Sequence, residues 1–129
     1  MTTKNLRLLD ANLNRLREGI RVIEDIFRYI LDNKTIALRL KNLRHLARTE
    51  NYLELLDNRD IQNDILKTST KSEQNRENLT SILIANFKRA QESARVIEEF
   101  SKLHSIQQSE NFKHIRYELY DIEKSIISL

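Results

Sequence analysis

A fourteen-residue string that occurs twice constrains the fold of this chain more than any other feature. Residues 11–24 read ANLNRLREGIRVIE and residues 85–98 read ANFKRAQESARVIE, so the two copies are identical at eight positions. Those positions hold asparagine, arginine and glutamate as well as apolar side chains. Helix packing alone requires only apolar residues at a suitable spacing, so the shared polar residues need a further explanation.

Apolar side chains recur every three or four residues in and around both copies, which predicts amphipathic helices. One glycine and no proline among 129 residues leave few helix breakers, and no segment has the pattern of a strand. The first of four predicted helices begins near Asp10, its N-cap, and the second follows a break at residues 32–34 and runs toward Leu56. The third begins near Leu79, and the fourth follows a polar break at residues 105–109.

The repetition extends beyond the fourteen-residue string. Residues 40–45, LKNLRH, match residues 112–117, FKHIRY, so each half of the chain is predicted to be a helical hairpin. One hairpin cannot cover its own apolar face, and two are expected to pack together. The predicted fold is an all-α four-helix bundle built from two duplicated hairpins. It forms a single domain, residues 1–129, with repeat 1 at about 8–56, a connection at 57–78 and repeat 2 at about 79–128.

Composition excludes several classes of function. The net charge is only +3, and basic and acidic residues are interleaved, whereas nucleic-acid binders usually concentrate their basic residues. There is no cysteine for a disulfide or a thiolate metal site, and one glycine cannot form a glycine-rich phosphate loop. No apolar run is long enough for a membrane span or a signal peptide. We therefore expect a cytoplasmic protein that binds neither nucleic acid nor membrane, with a homodimer as an open alternative.

The shared polar residues fall on one sector of each helix carrying the string. At about 100° per residue, Gly19 lies about 20° and Arg15 about 60° from Asn12, which is itself inside the apolar stripe. Asn86 and Ser93 take the corresponding places on the third helix. A small residue beside an asparagine and an arginine leaves room either for a ligand or for a close crossing of two helices.

A purely structural explanation is also available for the same residues. Glu18 follows Arg15 at the spacing of an ordinary helical ion pair, and Glu24 follows Arg21 in the same way. An asparagine within an apolar stripe often sets the register of packed helices. A buried network repeated in both halves would therefore account for the shared residues without any ligand.

The connection at residues 57–78 is longer than most unstructured links within a domain, which favours a functional role. It carries Asp60 and Asp64, and carboxylates of this kind hold Mg²⁺ together with water and substrate phosphates. It also carries Arg59 and Arg76, which suit phosphate oxygens. A solvated linker is the alternative for a segment of this composition.

Three strings, DANLNRLREGIRVIEDIFRY, NRDIQND and ANFKRAQESARVIEEFSK, resemble a small all-helical family of thiamine biosynthesis. Its members, the hydroxymethylpyrimidine-phosphate kinases, stand alone or precede a thiamine-phosphate synthase domain. The resemblance implies ATP-dependent phosphorylation of 4-amino-5-hydroxymethyl-2-methylpyrimidine phosphate to the diphosphate. It also implies ATP and Mg²⁺ as cofactors, and it suggests thiamine-phosphate synthase as a partner.

This expected activity assigns provisional roles to the polar residues. Arginines are candidates for binding phosphates, asparagines for reading the aminopyrimidine edge, and aspartates for holding Mg²⁺. Two glutamates are candidates for orienting the attacking hydroxymethyl group or accepting its proton. The candidate catalytic residues are Glu18, Glu92, Arg15 and Arg89; the candidate substrate-binding residues are Asn12, Asn86, Arg59 and Arg76; the candidate metal ligands are Asp60 and Asp64.

The alternative function is a non-catalytic helical module that binds a thiamine-pathway enzyme or an anionic metabolite. A module of this kind predicts that the shared arginines and glutamates pair with each other and leave no pocket. The kinase predicts instead that unpaired arginines converge on a cleft near residues 57–78.

Overall fold

The computed structural model describes residues 2–127, and this part of the chain is helical without any strand. The all-α prediction is therefore confirmed. Six α-helices occur, and the first continues into a π-helical turn, Ile26–Ile30. They are α1 (Thr3–Asp25), α2 (Lys34–Leu46), α3 (Tyr52–Asp57), α4 (Lys71–Gln74), α5 (Leu79–Ser101) and α6 (Ile106–Ile127). None of the helices between residues 2 and 127 combines the length and apolar character needed to cross a bilayer.

The four long helices bury one apolar core. Helix α1 packs most extensively against α5, α5 packs against α6, and α2 lies against α1 and touches α6. The predicted apolar stripes supply the fully buried side chains, among them Leu16, Ile20, Leu40, Phe87, Ile97, Phe112 and Leu119. The description of this packing as a bundle of two duplicated hairpins stays an interpretation.

Two predicted boundaries are confirmed. Asp32 adopts a positive φ of 49°, and the side chain of Asn33 accepts the backbone N–H of Ile36, so the chain breaks and α2 is capped where predicted. Helix α5 begins at Leu79, after Asn78 as N-cap. The Asn78 side chain supplies an acceptor for one of the backbone N–H groups that a helix start leaves unpaired.

The predicted start of the first helix at Asp10 is wrong. Helix α1 begins at Thr3, because Thr2 has an extended backbone and its hydroxyl accepts the N–H of Asn5. The earlier turns carry Leu6 and other apolar side chains into the core. Asp10 lies within the helix, and its side chain is only 7% exposed. It serves as an ion-pair partner and not as a cap.

Two more predicted boundaries are wrong. Helix α2 ends at Leu46 and does not continue toward Leu56; Leu55, which is 1% exposed, belongs to the separate short helix α3, which packs on α1. Helix α6 begins directly after Ser105, so most of the predicted polar break is helical. Ser109 lies buried in the first turn of α6. Its hydroxyl donates to the carbonyl of Glu98, so this buried polar group has a hydrogen-bond partner.

Gly19 permits a close approach between α1 and α5. A Cβ atom at this position would lie 3.2 Å from the backbone oxygen of Asn86 and 3.4 Å from the Cβ of Ala90. Farther along, Asn12 of α1 and Ser93 of α5 border one cavity, so the two helices run antiparallel. The small repeated residue therefore serves a close helix crossing, one of the two explanations offered by the sequence.

Two buried glutamates each join the two long helices of one half of the chain. The Glu24 carboxylate accepts Nε and Nη2 of Arg44 at 2.7 and 3.2 Å, linking α1 to α2. The Glu98 carboxylate accepts Nε and Nη2 of Arg116 at 3.0 and 2.9 Å, linking α5 to α6. The two glutamates are 1% and 5% exposed. For these repeated residues, the structural explanation is the correct one.

Replacing Gly19 with leucine is expected to lower the free energy of unfolding by about 2 kcal/mol, because the added side chain must separate α1 from α5. Urea denaturation followed by circular dichroism measures this. Arg17→Leu, at an exposed position on the same helix, is the control. Equal stability of the two variants would contradict the close crossing.

Replacing Arg44 with leucine is expected to cost about 3 kcal/mol of unfolding free energy, because the Glu24 carboxylate is left buried without its main partner. Adding Glu24→Leu should restore most of the loss, since an apolar pair replaces a buried ion pair at little cost. Arg39→Leu, which removes more exposed pairs, should cost about 1 kcal/mol or less. Urea titrations of the three variants would contradict this account if the double variant were the least stable.

Candidate functional site

Two adjoining cavities border α1 on the side that faces the connection. The α5 cavity, of about 600 Å³, lies between α1, α5 and residues 64–73. The α1 cavity, of about 870 Å³, lies between the N-terminal half of α1 and residues 59–67. Asn12, Arg15, Asp64 and Lys67 line both cavities. The two spaces therefore meet along a shared wall.

The α5 cavity brings together three of the predicted catalytic residues. Arg15 comes from α1, and Arg89 and Glu92 come from α5, because the antiparallel packing places these segments side by side. All three are exposed. None forms a hydrogen bond or a close ion pair with any residue from 2 to 127. Their charged groups are therefore available to a ligand.

Asn12 presents a hydrogen-bond acceptor at the shared wall. The residue is 7% exposed, and its Nδ2 donates to the Leu8 carbonyl at 2.9 Å, which fixes the orientation of the amide. Its Oδ1 accepts no hydrogen bond from the described residues. The arrangement suits a ligand that offers an N–H group.

The counterparts of Asn12 and Glu92 in the other copy are placed differently. Asn86 makes the same local hydrogen bond as Asn12, since its Nδ2 donates to the Ile82 carbonyl at 2.9 Å, but its backbone oxygen faces Gly19. Neither Asn86 nor Glu18 lines the two cavities. The structure therefore brings one member of each of these repeated pairs to the cleft and leaves the other outside it.

Arg59 is held by Asp10. Nε and Nη2 of Arg59 donate to the two carboxylate oxygens at 2.8 and 2.9 Å, and these hydrogen bonds raise the pKa of the guanidinium above its usual value. Arg7 also donates to the Asp60 carbonyl at 3.3 Å. These contacts tie the start of the connection to α1. Arg59 lines the α1 cavity, and two of its five N–H donors are engaged by Asp10.

Arg76 lies outside both cavities. Its Nη1 donates to the carbonyls of Ser72 and Asn75 at 2.9 and 2.8 Å, at the end of α4. The neighbouring Glu73 does line the α5 cavity. The backbone N–H and the hydroxyl of Thr70 donate to its carboxylate and lower its pKa, so Glu73 is ionised at neutral pH.

The carboxylates of the two predicted metal ligands differ in how many hydrogen bonds they already accept from the protein. Asp60 accepts from the Asn63 side chain at 2.7 Å and from the backbone N–H groups of Gln62 and Asn63, and these bonds lower its pKa. Among residues 2–127, Asp64 accepts only the N–H of Leu66, at 3.0 Å, and it lines both cavities. No cluster of three metal-ligating side chains occurs within residues 2–127. Asp64 thus fits an Mg²⁺ ion held mainly by phosphates, whereas Asp60 is committed to a turn.

Some residues at the cavities are not among the predicted site residues. Lys88 and Lys67 line the α5 cavity, and Asp10 positions the connection beside it. Lys88 corresponds to Asn14 in the other copy, so comparison of the repeats does not single it out. The sequence around Asp10 is ambiguous. An acidic residue just before an apolar stripe is typical of a helix N-cap, but it can equally be an ion-pair partner within a helix.

Comparison with known proteins places the chain in a family. Residues 7–125 match the model of the ThiD2 family. The thiamine-phosphate synthase of one strain of Prochlorococcus marinus is 42% identical over 124 residues, which cover 95% of this chain and 36% of that protein. The thiamine-phosphate synthase of Nostoc punctiforme is 38% identical over 122 residues, which cover 94% of this chain and 35% of that protein.

A third relative comes from another organism. The thiamine-phosphate synthase of Rhodopirellula baltica is 37% identical over 120 residues, which cover 89% of this chain. The chain spans between 32% and 36% of the length of these three curated relatives. No solved structure matches it. Because the family model covers most of every long helix and the whole connection between them, the chain belongs to the ThiD2 family.

Proposed function

We propose that this chain acts in thiamine biosynthesis as a kinase that transfers the γ-phosphoryl group of ATP to 4-amino-5-hydroxymethyl-2-methylpyrimidine phosphate. One observation carries the proposal: Arg15 of α1 and Arg89 of α5 line the same cavity, and neither has a close ion-pair partner among residues 2–127. The names of the relatives, all thiamine-phosphate synthases, support the pathway.

The reaction requires charge neutralisation more than covalent participation by the protein. An oxygen of the pyrimidine phosphate attacks the γ-phosphorus of ATP, and the bond from that phosphorus to the bridging oxygen breaks. ADP leaves with the bridging oxygen, and the pyrimidine diphosphate is formed. Arg15, Arg89 and Lys67 would bind the non-bridging oxygens, on which negative charge accumulates as the bond breaks.

The attacking atom changes the role expected of the glutamates. In the substrate, the hydroxymethyl oxygen already carries phosphate, so it has no proton for a base to accept. The attacking phosphate oxygen is mostly ionised at neutral pH, since the second pKa of a phosphate monoester is about 6. Glu92 therefore orients the substrate in this proposal and does not act as a base. Glu18, which lies outside both cavities, receives no role.

Asn12 and Glu92 would recognise the aminopyrimidine. The free Oδ1 of Asn12 and the carboxylate of Glu92 are acceptors that suit the exocyclic amino group. Ser93, which is 3% exposed, has a small side chain, so a flat ring could lie against the cavity wall between Asn12 and Glu92. Acceptors that bond the amino group favour this substrate over an analogue without that group, which would leave them unpaired in the complex.

A bound Mg²⁺ ion would supply positive charge that neutralises the phosphate groups. Asp64 is the carboxylate that fits it, and Glu73 adds negative charge to the same cavity. The carboxylate of Asp60 stabilises the turn that precedes Asp64.

The non-catalytic module makes a different prediction about the shared arginines. It expects the shared arginines to pair with the shared glutamates. Arg21 and Arg95 do so, with carboxylate distances of 3.9 Å to Glu24 and 2.8 Å to Glu98. Arg15 has no such pair within residues 2–127, and the cavity at its side is the feature that favours a catalytic role.

Replacing Arg15 or Arg89 with alanine is expected to lower kcat/KM for the pyrimidine phosphate by about 100-fold or more, because each removes a charge that stabilises the transferring group. Conversion of the pyrimidine phosphate to its diphosphate is measured with ATP and Mg²⁺. Arg17→Ala, an exposed arginine on the same helix and outside both cavities, is the matched control and should retain wild-type activity. A folded wild-type protein that binds neither substrate would favour the non-catalytic module.

Replacing Asp64 with asparagine is expected to raise the Mg²⁺ concentration for half-maximal activity by about tenfold, since one ionised oxygen ligand is lost. Asp60→Asn is the matched control, because its amide oxygen can still accept the N–H groups of the turn. Magnesium titrations of initial rate measure both. A larger shift in the Asp60 variant would contradict the assignment of Asp64.

A further inference from the structure

We propose that the α1 cavity is the nucleoside triphosphate subsite and that the α5 cavity holds the pyrimidine phosphate. The inference rests on the proposed kinase function and deepens it by assigning each substrate to a place. The phosphoryl group would pass from one cavity to the other across the shared wall at Arg15 and Lys67.

The shared wall has the chemistry of a transfer point. Two substrates that exchange a group must meet end to end, and these two cavities meet at Arg15, Lys67, Asp64 and Asn12. Neither Arg15 nor Lys67 forms a close ion pair or a hydrogen bond with residues 2–127. Their positive charges are therefore available to the phosphate groups of both substrates, and Asp64 is the carboxylate at the same wall that would hold a metal ion.

The α1 cavity has the size and surface for a nucleotide. It is the larger of the two, 870 against 600 Å³, and both volumes are in the range of ligand sites. Its lining includes the apolar side chains of Leu8, Ala11 and Ile61. Ile61 is 73% exposed, so much of its apolar surface is open to a ligand. A flat purine base would cover part of this surface.

The α1 cavity also has the length and charge for a triphosphate. It follows one face of α1 from Lys4 to Arg15, a distance of about 16 Å along the helix axis. Lys4 and Arg7 lie toward one end, and Arg15 and Lys67 lie at the wall shared with the other cavity. A nucleotide lying along this face would reach the shared wall with its terminal phosphate.

The α5 cavity suits the smaller, more polar substrate. Its surface is supplied largely by polar and charged side chains, including Lys88, Arg89, Glu92 and Ser93. Arg89 and Lys88 would hold the monophosphate, and the free acceptor of Asn12 stands at the boundary. An adenine base would find less apolar surface here than beside Ile61.

The repeat provides a matched pair of test positions. Ala11 lines only the α1 cavity, and Ala85, which occupies the same place in the second copy, lines only the α5 cavity. A phenylalanine at either position fills part of one cavity without removing a charge or a hydrogen bond.

Ala11→Phe is expected to weaken binding of a fluorescent N-methylanthraniloyl ATP by about tenfold, through loss of space, and to leave binding of the pyrimidine phosphate within about twofold. Ala85→Phe is expected to do the reverse. Nucleotide binding is followed by fluorescence and pyrimidine binding by calorimetry, each without the other substrate, and circular dichroism checks the fold of both variants.

The outcomes separate this assignment from the kinase proposal. If each variant weakened binding of the other substrate instead, or if both variants affected both substrates equally, the assignment would be overturned. This would hold even if the wild-type protein converted the pyrimidine phosphate to its diphosphate. Selective effects as expected, in a protein without turnover, would support the subsites and overturn the kinase. A wild-type chain that binds no nucleotide would overturn both.

Discussion

The antiparallel contact between α1 and α5 is the interaction on which the rest of this structure depends. It is the most extensive contact between two helices in residues 2–127. Gly19 has no side chain, so the backbone of α1 can lie against the Asn86 carbonyl of α5. The same contact sets Arg15 beside Arg89 at one cavity. Two like charges are held there by apolar packing elsewhere along the helices. The core therefore supplies the energy that keeps the two arginines together at this cavity.

Two similar helices need not form two similar sites, and here the connection contributes Asp64, Lys67 and Glu73 to the cavity beside Asn12. The Asp10–Arg59 ion pair anchors the connection to α1, and residues 64–73 then border the cavity at Asn12. Asn86 lines neither cavity, and its carbonyl is used against Gly19. A segment that is not repeated thus gives different environments to two residues that are repeated.

The fold was largely predictable, since apolar spacing decides which residues reach the core, and Leu16, Ile20 and Phe87 are fully buried as expected. The repeat also pointed to Arg15 and Arg89, which share a cavity. The role of Asp10 was not predictable, because its buried ion pair depends on Arg59, far away in sequence, and local pattern reports only neighbours along the chain. The course of the connection was beyond prediction for the same reason, because its position depends on distant contacts such as that from Arg7 to the Asp60 carbonyl.

The repeated polar residues separate into two groups according to burial, and this separation explains why both are present in each copy. Glu24 and Glu98 are buried and paired with arginines, so each must be kept with its partner or the fold loses stability. Arg15 and Arg89 are exposed and form no hydrogen bond or close ion pair within residues 2–127, although Arg89 has a longer-range attraction to the Glu73 carboxylate. They lie on facing segments of two antiparallel helices. Arg15 and Arg89 are also corresponding residues of the two copies, so each copy contributes the same arginine to this contact. A residue at that position lines one cavity from both helices, so under the proposed function both copies would use the same arginine.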